Sequence, residues 1–101
     1  MDREAYILKA KVAKALAHES RLMIIDALRE KETCVCDLVE LVGSDQSTVS
    51  KHLSVLKNAG IVDDRREGNK VYYSLKTPCV LNFFQCAVEV LRSTIKGQVE
   101  A

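Results

Sequence analysis

Asp37-Leu38-Val39-Glu40-Leu41-Val42-Gly43-Ser44-Asp45-Gln46-Ser47-Thr48-Val49-Ser50-Lys51-His52-Leu53 is the run on which the fold turns. Its first part is a short helix through Asp37, Leu38, Glu40 and Leu41. Gly43 closes that helix, being the residue best suited to a left-handed cap, and Ser44 follows at once as a good N-cap for another. The second helix, Asp45 to Asn58, places Val49, Leu53 and Leu56 on one buried side at i, i+4 and i+7, and stops at Gly60. Two helices separated by so short a turn form a helix-turn-helix. Downstream, Ile61-Val62-Asp63-Asp64-Arg65-Arg66 and Val71-Tyr72-Tyr73-Ser74-Leu75 are strand-like runs joined by a turn at Gly68-Asn69. A hairpin in that position makes a wing.

Upstream, Ala5, Leu8, Val12, Ala15 and Leu16 recur at helical spacing opposite Lys9, Lys11 and Lys14. A further helix runs from about Glu19 to Glu30 on a row of Leu22, Ile25 and Leu28. At the other end, Thr77 and Pro78 read as the N-cap and first position of a last helix. There Leu81, Phe84, Val88, Leu91 and Ile95 alternate in steps of three and four, the stripe with which a helix meets a partner. The expected fold is mainly α with one β-hairpin: a winged helix-turn-helix of four helices, two strands and a fifth helix, dimerising through that last helix. Leu81, Phe84, Val88, Leu91 and Ile95 are the expected homodimer contacts. The alternative is that the stripe covers the chain's own core.

A chain of 101 residues is one domain, residues 1–101, with a modest core that gains from a second copy of itself. With 48% hydrophobic and 29% charged residues, one Pro and four Gly, it contains no linker or low-complexity tract. Met1-Asp2-Arg3-Glu4 lacks the order of a signal peptide, and no apolar run approaches the roughly 20 residues that span a bilayer. We therefore expect a cytoplasmic protein without membrane contact, whose four cysteines are kept reduced.

A net charge of +1 says nothing for nucleic acid, so any such role must come from local placement. With Val49 as the buried reference and about 100° per residue, Ser47, Lys51 and Ser54 point nearly opposite, Thr48 and Ser50 flank them, and Gln46 opens the same helix. A small, polar, cationic face lets a helix lie deep in a major groove of double-stranded DNA. Arg65, Arg66 and Lys70 extend that contact from the wing. His52 is counted with the DNA-facing set, although it sits near the edge of the buried side, where a structural hydrogen bond is equally open to it. Tyr72 and Tyr73 alternate, one towards DNA and one towards the core. From Asp45 to Lys76, six Lys or Arg face four acids, so binding should depend on dimerisation and on salt.

Cys34 and Cys36 carry the chemistry. The C-x-C spacing is not the C-x-x-C of structural zinc, and no second pair completes such a site. In a regular helix, residues two apart point about 200° from one another, so both thiols can hold one ion only if the backbone there is extended or distorted. Thiolates select soft ions, and As(III), Sb(III), Cd(II), Pb(II) and Hg(II) all fit by softness. A cysteine enzyme is the weakest reading, because Glu32 and Asp37 bracket the pair and oppose thiolate formation. Thiol oxidation or persulfide sensing remains open, though a Cys34–Cys36 disulfide closes a small ring. A winged helix used only for protein contacts is a further possibility.

Ala15-Leu16-Ala17-His18-Glu19-Ser20-Arg21-Leu22, Cys34-Val35-Cys36-Asp37-Leu38 and Ser47-Thr48-Val49-Ser50-Lys51-His52-Leu53, in that order, resemble the ArsR/SmtB family of metal-sensing repressors over nearly the whole chain. The C-V-C-D-L run is similar to the inducer site of its arsenical-responsive branch. The resemblance implies a winged-helix homodimer with its first and last helices at the interface, which adds Leu8 and Val12 to the contacts, on a palindromic operator and released by metal, with As(III) or Sb(III) foremost. Two departures stand out. Where such sites often carry a third cysteine, this chain has Val39 after Leu38, leaving Cys79, Cys86 or an external thiol as third ligand. The last helix also lacks the Asp and His cluster of the family's interfacial zinc site. Cys79 and Cys86 are expected chiefly to be buried packing residues.

Overall fold

The computed structural model describes residues 2–100, with the side chains of residues 83 and 98–100 outside the description. The first helix, α1 (Arg3–Leu16), starts at Asp2, whose carboxylate accepts the Glu4 N–H at 3.0 Å. The next, α2 (Glu19–Glu30), is capped by His18: its Nδ1 accepts the Ser20 N–H at 3.0 Å. Ile24, Ile25 and Leu28 are its buried side, and Leu22 packs against them half-buried.

Strand β1 (Thr33–Cys34) runs directly into α3 (Val35–Val42). Gly43 ends α3 in the left-handed conformation, φ 76°, and its N–H returns to the Val39 carbonyl. The cap of α4 (Gln46–Asn58) is Asp45 rather than Ser44: its carboxylate accepts the Thr48 N–H at 2.7 Å. A carboxylate at that end also sits favourably in the helix dipole. Val49, Leu53 and Leu56 are buried as their spacing requires, and with Leu38, Ile24, Ile25 and Ile61 they form the core.

The wing is β2 (Val62–Glu67) and β3 (Lys70–Leu75), antiparallel, turning at Gly68, φ 61°. It is not a lone hairpin. Strand β1 pairs with the far edge of β3, Thr33 opposite Tyr73 and Cys34 opposite Tyr72, giving a three-stranded sheet of order β1-β3-β2. Two residues are too few to show alternation, which is why the sequence displays no such strand. Its consequence is that the cysteine pair is built into the sheet that carries the wing.

The last helix, α5 (Val80–Glu100), begins two residues later than Thr77-Pro78 suggests. The N–H groups of Val80, Leu81 and Asn82 each bond the carbonyl three residues back, a tight 3₁₀-type lead-in, before the helix proper is established. The apolar stripe then divides. Val80, Leu81 and Phe84 pack against the chain's own core, as does Val12 of α1. Val88, Val90, Leu91 and Ile95 are exposed, as are Tyr6, Ile7 and Leu8 of α1. Thus the expected contact set is part core and part uncovered surface. An open groove of about 770 Å³ between the two helices is lined by Leu8, Val12, Ala13, Leu16, Cys79 and Val80. The radius of gyration, 15.9 Å, exceeds the roughly 13 Å of a self-contained domain of this length, because α5 projects beyond the core.

Candidate functional site

On α4, Gln46, Ser47, Thr48, Ser50, Lys51 and Ser54 are all exposed, forming one polar face directly opposite the packed row. His52 does not belong with them. It is only 8% exposed, its Nδ1 accepts the Arg21 Nε–H at 3.1 Å, and its ring lies 4.4 Å from that of His18. Burial, then the charges of His18 and Arg21, hold its proton affinity below the ordinary histidine value. Helical azimuth explains the position: one step beyond the exposed Lys51 turns the side chain back towards α2. Arg21 also donates through Nη1 to the carbonyls of Lys14 and Ala15, so one guanidinium fastens the end of α1 to α4. In the sequence, Arg21 and His18 stand out only as part of the Ala15–Leu22 run that carries the family resemblance, with no sign that they meet His52.

The wing is fastened to α4 by Lys57 and Asp64, 2.8 Å apart. That pairing raises the Lys57 pKa and lowers that of Asp64. Arg66 and Lys70 are exposed near the tip. Arg65 is engaged within the protein: its Nη2 and Nε donate to the two oxygens of Glu32 at 2.6 and 3.2 Å, and its Nη1 to Glu67 at 2.7 Å. It also lies over the Tyr72 ring, 4.9 Å from the centroid. Of the two tyrosines, Tyr73 packs against the core.

Cys34 is extended, φ −76° and ψ 155°, while Cys36 stands in the first turn of α3. This break in helical geometry lets both thiols converge. Their Cα atoms are 5.4 Å apart and their sulfurs are bonded to each other. The separation lies within the roughly 4.4–6.8 Å that a disulfide spans. Cys34 is buried and Cys36 exposed, and the Asp37 N–H points at the Cys34 sulfur at 3.4 Å. The Asp37 carboxylate joins them: donor atoms of Cys34, Cys36 and Asp37 all lie within 4.8 Å of one another. Sequence reasoning treated Asp37 only as an opposing charge. Its place three residues after Cys34, on the same side of the first turn, was the signal that could have found it.

Once the Cys34–Cys36 bond is reduced, two soft thiolates and one hard oxygen form a donor set suited to a thiophilic cation with mixed coordination. Cys79 and Cys86 are exposed rather than buried, and neither is part of this group among the described residues. Cys79 lines the groove between α1 and α5.

Residues 18–64, which hold α2, the thiol site and α4, match the family model described as "Bacterial regulatory protein, arsR family". Over 95 residues the chain is 37% identical to the HTH-type transcriptional regulator Rv0081 of Mycobacterium tuberculosis, covering 93% of this chain and 83% of that one. The chain belongs to the arsR family. It superimposes on the crystal structure of Rv0081 with a TM-score of 0.78 at 35% identity, covering 97% and 99% of the two chains. This arsR-family chain is also 41% identical over 76 residues to the cadmium resistance transcriptional regulatory protein CadC of Listeria innocua, covering 74% of this chain and 64% of that protein. The chain therefore spans just under two thirds of the length of that relative. A homodimeric winged helix-turn-helix DNA-binding domain from Mycobacterium bovis, Mb0332, matches with a TM-score of 0.75 at 33% identity, covering 96% and 92%. These relatives are regulators of transcription, which removes the cysteine-enzyme reading. Among the described residues of this arsR-family chain, no helix is long and apolar enough to cross a membrane.

Proposed function

We propose that the protein is a transcriptional repressor that binds a palindromic operator as a homodimer and is released when Cys34 and Cys36 capture a thiophilic metal or metalloid. The observation that carries this reading is the convergence of two sulfurs and the Asp37 carboxylate at the start of α3, the helix that supports the DNA-reading α4. Gln46, Ser47, Thr48, Ser50, Lys51 and Ser54 read the major groove, and Arg66 and Lys70 meet phosphate. Leu8, Val88, Leu91 and Ile95 supply the uncovered apolar surface for the second copy.

The mixed donor set favours Cd(II) or Pb(II), which accept a carboxylate beside two thiolates. As(III) and Sb(III) bind at the same pair when an external thiol supplies a third sulfur. By closing on one ion, Cys34 and Cys36 reorient the first turn of α3 and with it the support of α4. Linkage then requires operator DNA to weaken inducer binding by the factor with which inducer weakens DNA binding. The test is a titration of the reduced protein on its own promoter with As(III), Sb(III), Cd(II), Pb(II) and Zn(II), beside Cys34→Ser and Cys36→Ser. Both variants should dimerise and repress yet ignore the inducer. Release of either one at the wild-type inducer concentration, or a wild-type response to zinc alone, would refute the reading.

A second reading rests on the bonded sulfurs of Cys34 and Cys36: the pair responds to oxidant or persulfide rather than to an ion. Mass spectrometry of the DNA-released protein separates the two, since only the redox route leaves it two hydrogens lighter or carrying added sulfur.

A further inference from the structure

The three strands place the thiol site and the wing in one cross-strand row. Cys34 of β1 is opposite Tyr72 of β3, and Tyr72 is opposite Arg65 of β2. Residues directly paired across strands share a face of the sheet, so the side chains of Cys34, Tyr72 and Arg65 stand side by side. Arg65 crosses this row. It lies over the Tyr72 ring and ends in a two-pronged bond to Glu32, two residues before Cys34. Because β1 is only two residues long, main-chain pairing alone holds it weakly to the sheet, and the planar fork of Arg65 on Glu32 is the geometry that adds direction as well as attraction.

From this arrangement we infer that Glu32 is the positioning residue that carries the state of the Cys34–Cys36 pair to the wing, through its fork with Arg65. A change in the path of the chain at Cys34, as its sulfur takes a ligand, displaces Glu32. Arg65 is then re-aimed or released, and the wing with it. Since Lys57 and Asp64 fasten the wing to α4, the displacement reaches both DNA-reading elements together. With its fork closed, Arg65 is neutralised by Glu32 and Glu67, which leaves Arg66 and Lys70 as the outward wing cations. The inference rests on the thiol-switch reading above, and gives that switch a route separate from the packing of α3 on α4.

The experiment measures operator affinity by fluorescence anisotropy with and without Cd(II), for the reduced full chain, Glu32→Gln, Arg65→Lys and Cys34→Ser. Sulfur-to-cadmium absorption is read on the same samples. Glu32→Gln should show the wild-type absorption band and Cd(II) affinity and operator binding no weaker than wild type, but at least a fivefold smaller weakening of DNA binding by Cd(II). Arg65→Lys, which keeps the charge but not the fork, should fall between the two. A Glu32→Gln response within twofold of wild type overturns the inference. Should Glu32→Gln lose its fold by circular dichroism, Glu32→Asp, which keeps the charge but is too short for the fork, reads the same ratio with the same threshold. If none of Cd(II), Pb(II), As(III) and Sb(III) gives wild type a sulfur-to-metal band with DNA release, or Cys34→Ser still responds, the thiol-switch reading fails and takes this route with it. That result is distinct from an intact switch that ignores Glu32.

Discussion

Arg21 and His52 show how much one pair of side chains settles at the scale of the residue. The guanidinium donates to two carbonyls at the end of α1 and to a buried imidazole on α4, so three helices meet on it. Removing it leaves those acceptors unpaired near the core, and Arg21→Met should cost roughly 1–3 kcal/mol in urea unfolding. His52 adds a pH dependence of known sign. Its folded pKa lies below the unfolded value of 6.5, so the unfolded chain takes up its proton first. The stability tied to neutral His52 is complete above pH 6.5 and is lost as pH falls through the folded value. Urea unfolding of wild type at fixed protein concentration should therefore weaken from pH 7.5 to pH 5. In His52→Gln that part of the slope should be absent. An identical slope in the two proteins would show that His52 does not titrate on unfolding.

At the scale of the element, the turn between α3 and α4 sets the angle at which the DNA-reading face is presented. Gly43 holds it at φ 76°, with open space where a Cβ would stand, so Gly43→Ala suffers backbone strain without a clash. About 1–2 kcal/mol of destabilisation is expected from the left-handed conformation alone, readable in the urea midpoint. The exposed side of α4 gives the complementary case. Ser50→Ala combined with Lys51→Ala changes no buried atom, so it should abolish operator binding while sedimentation still reports the dimer. Undiminished affinity would remove α4 from the groove. In the wing, Arg66→Ala should weaken binding to all sequences alike and, where each protomer's Arg66 meets one phosphate, reduce the salt slope by about one per protomer.

For the whole molecule, the proposed homodimer is expected to form on the uncovered apolar faces of α1 and α5. Leu91 is 57% exposed and Leu8 56%, on helices that flank one open groove, in a protomer whose radius of gyration is 15.9 Å. Leu91→Glu places a charge on that face at no cost to the protomer's own core. It should yield monomers in sedimentation equilibrium and, since a palindrome is read by two copies at once, at least about a tenfold loss of operator affinity. A dimeric Leu91→Glu protein would move the interface elsewhere.

Local signals carried most of the architecture, because they are written within a single turn or strand. Gly43 and Gly60 mark left-handed helix ends, Val49, Leu53 and Leu56 mark a packed side, and Gly68-Asn69 marks the wing's turn; each needs only its neighbours to be read. The spacing of Cys34 and Cys36 likewise demanded a break in helical geometry, and the structure has one at Cys34. What tertiary structure alone decided are the matters settled between distant segments. Strand β1 exists only because β3 offers it a partner, the inward His52 ring finds its hydrogen-bond donor in Arg21 of another helix, and Arg65 is withdrawn by a carboxylate 33 positions earlier in the chain. The division of the α5 stripe between core and open surface belongs with these. Periodicity states that a helix has an apolar side, whereas the extent of that side already covered depends on where α2 ends and how far α5 reaches beyond it.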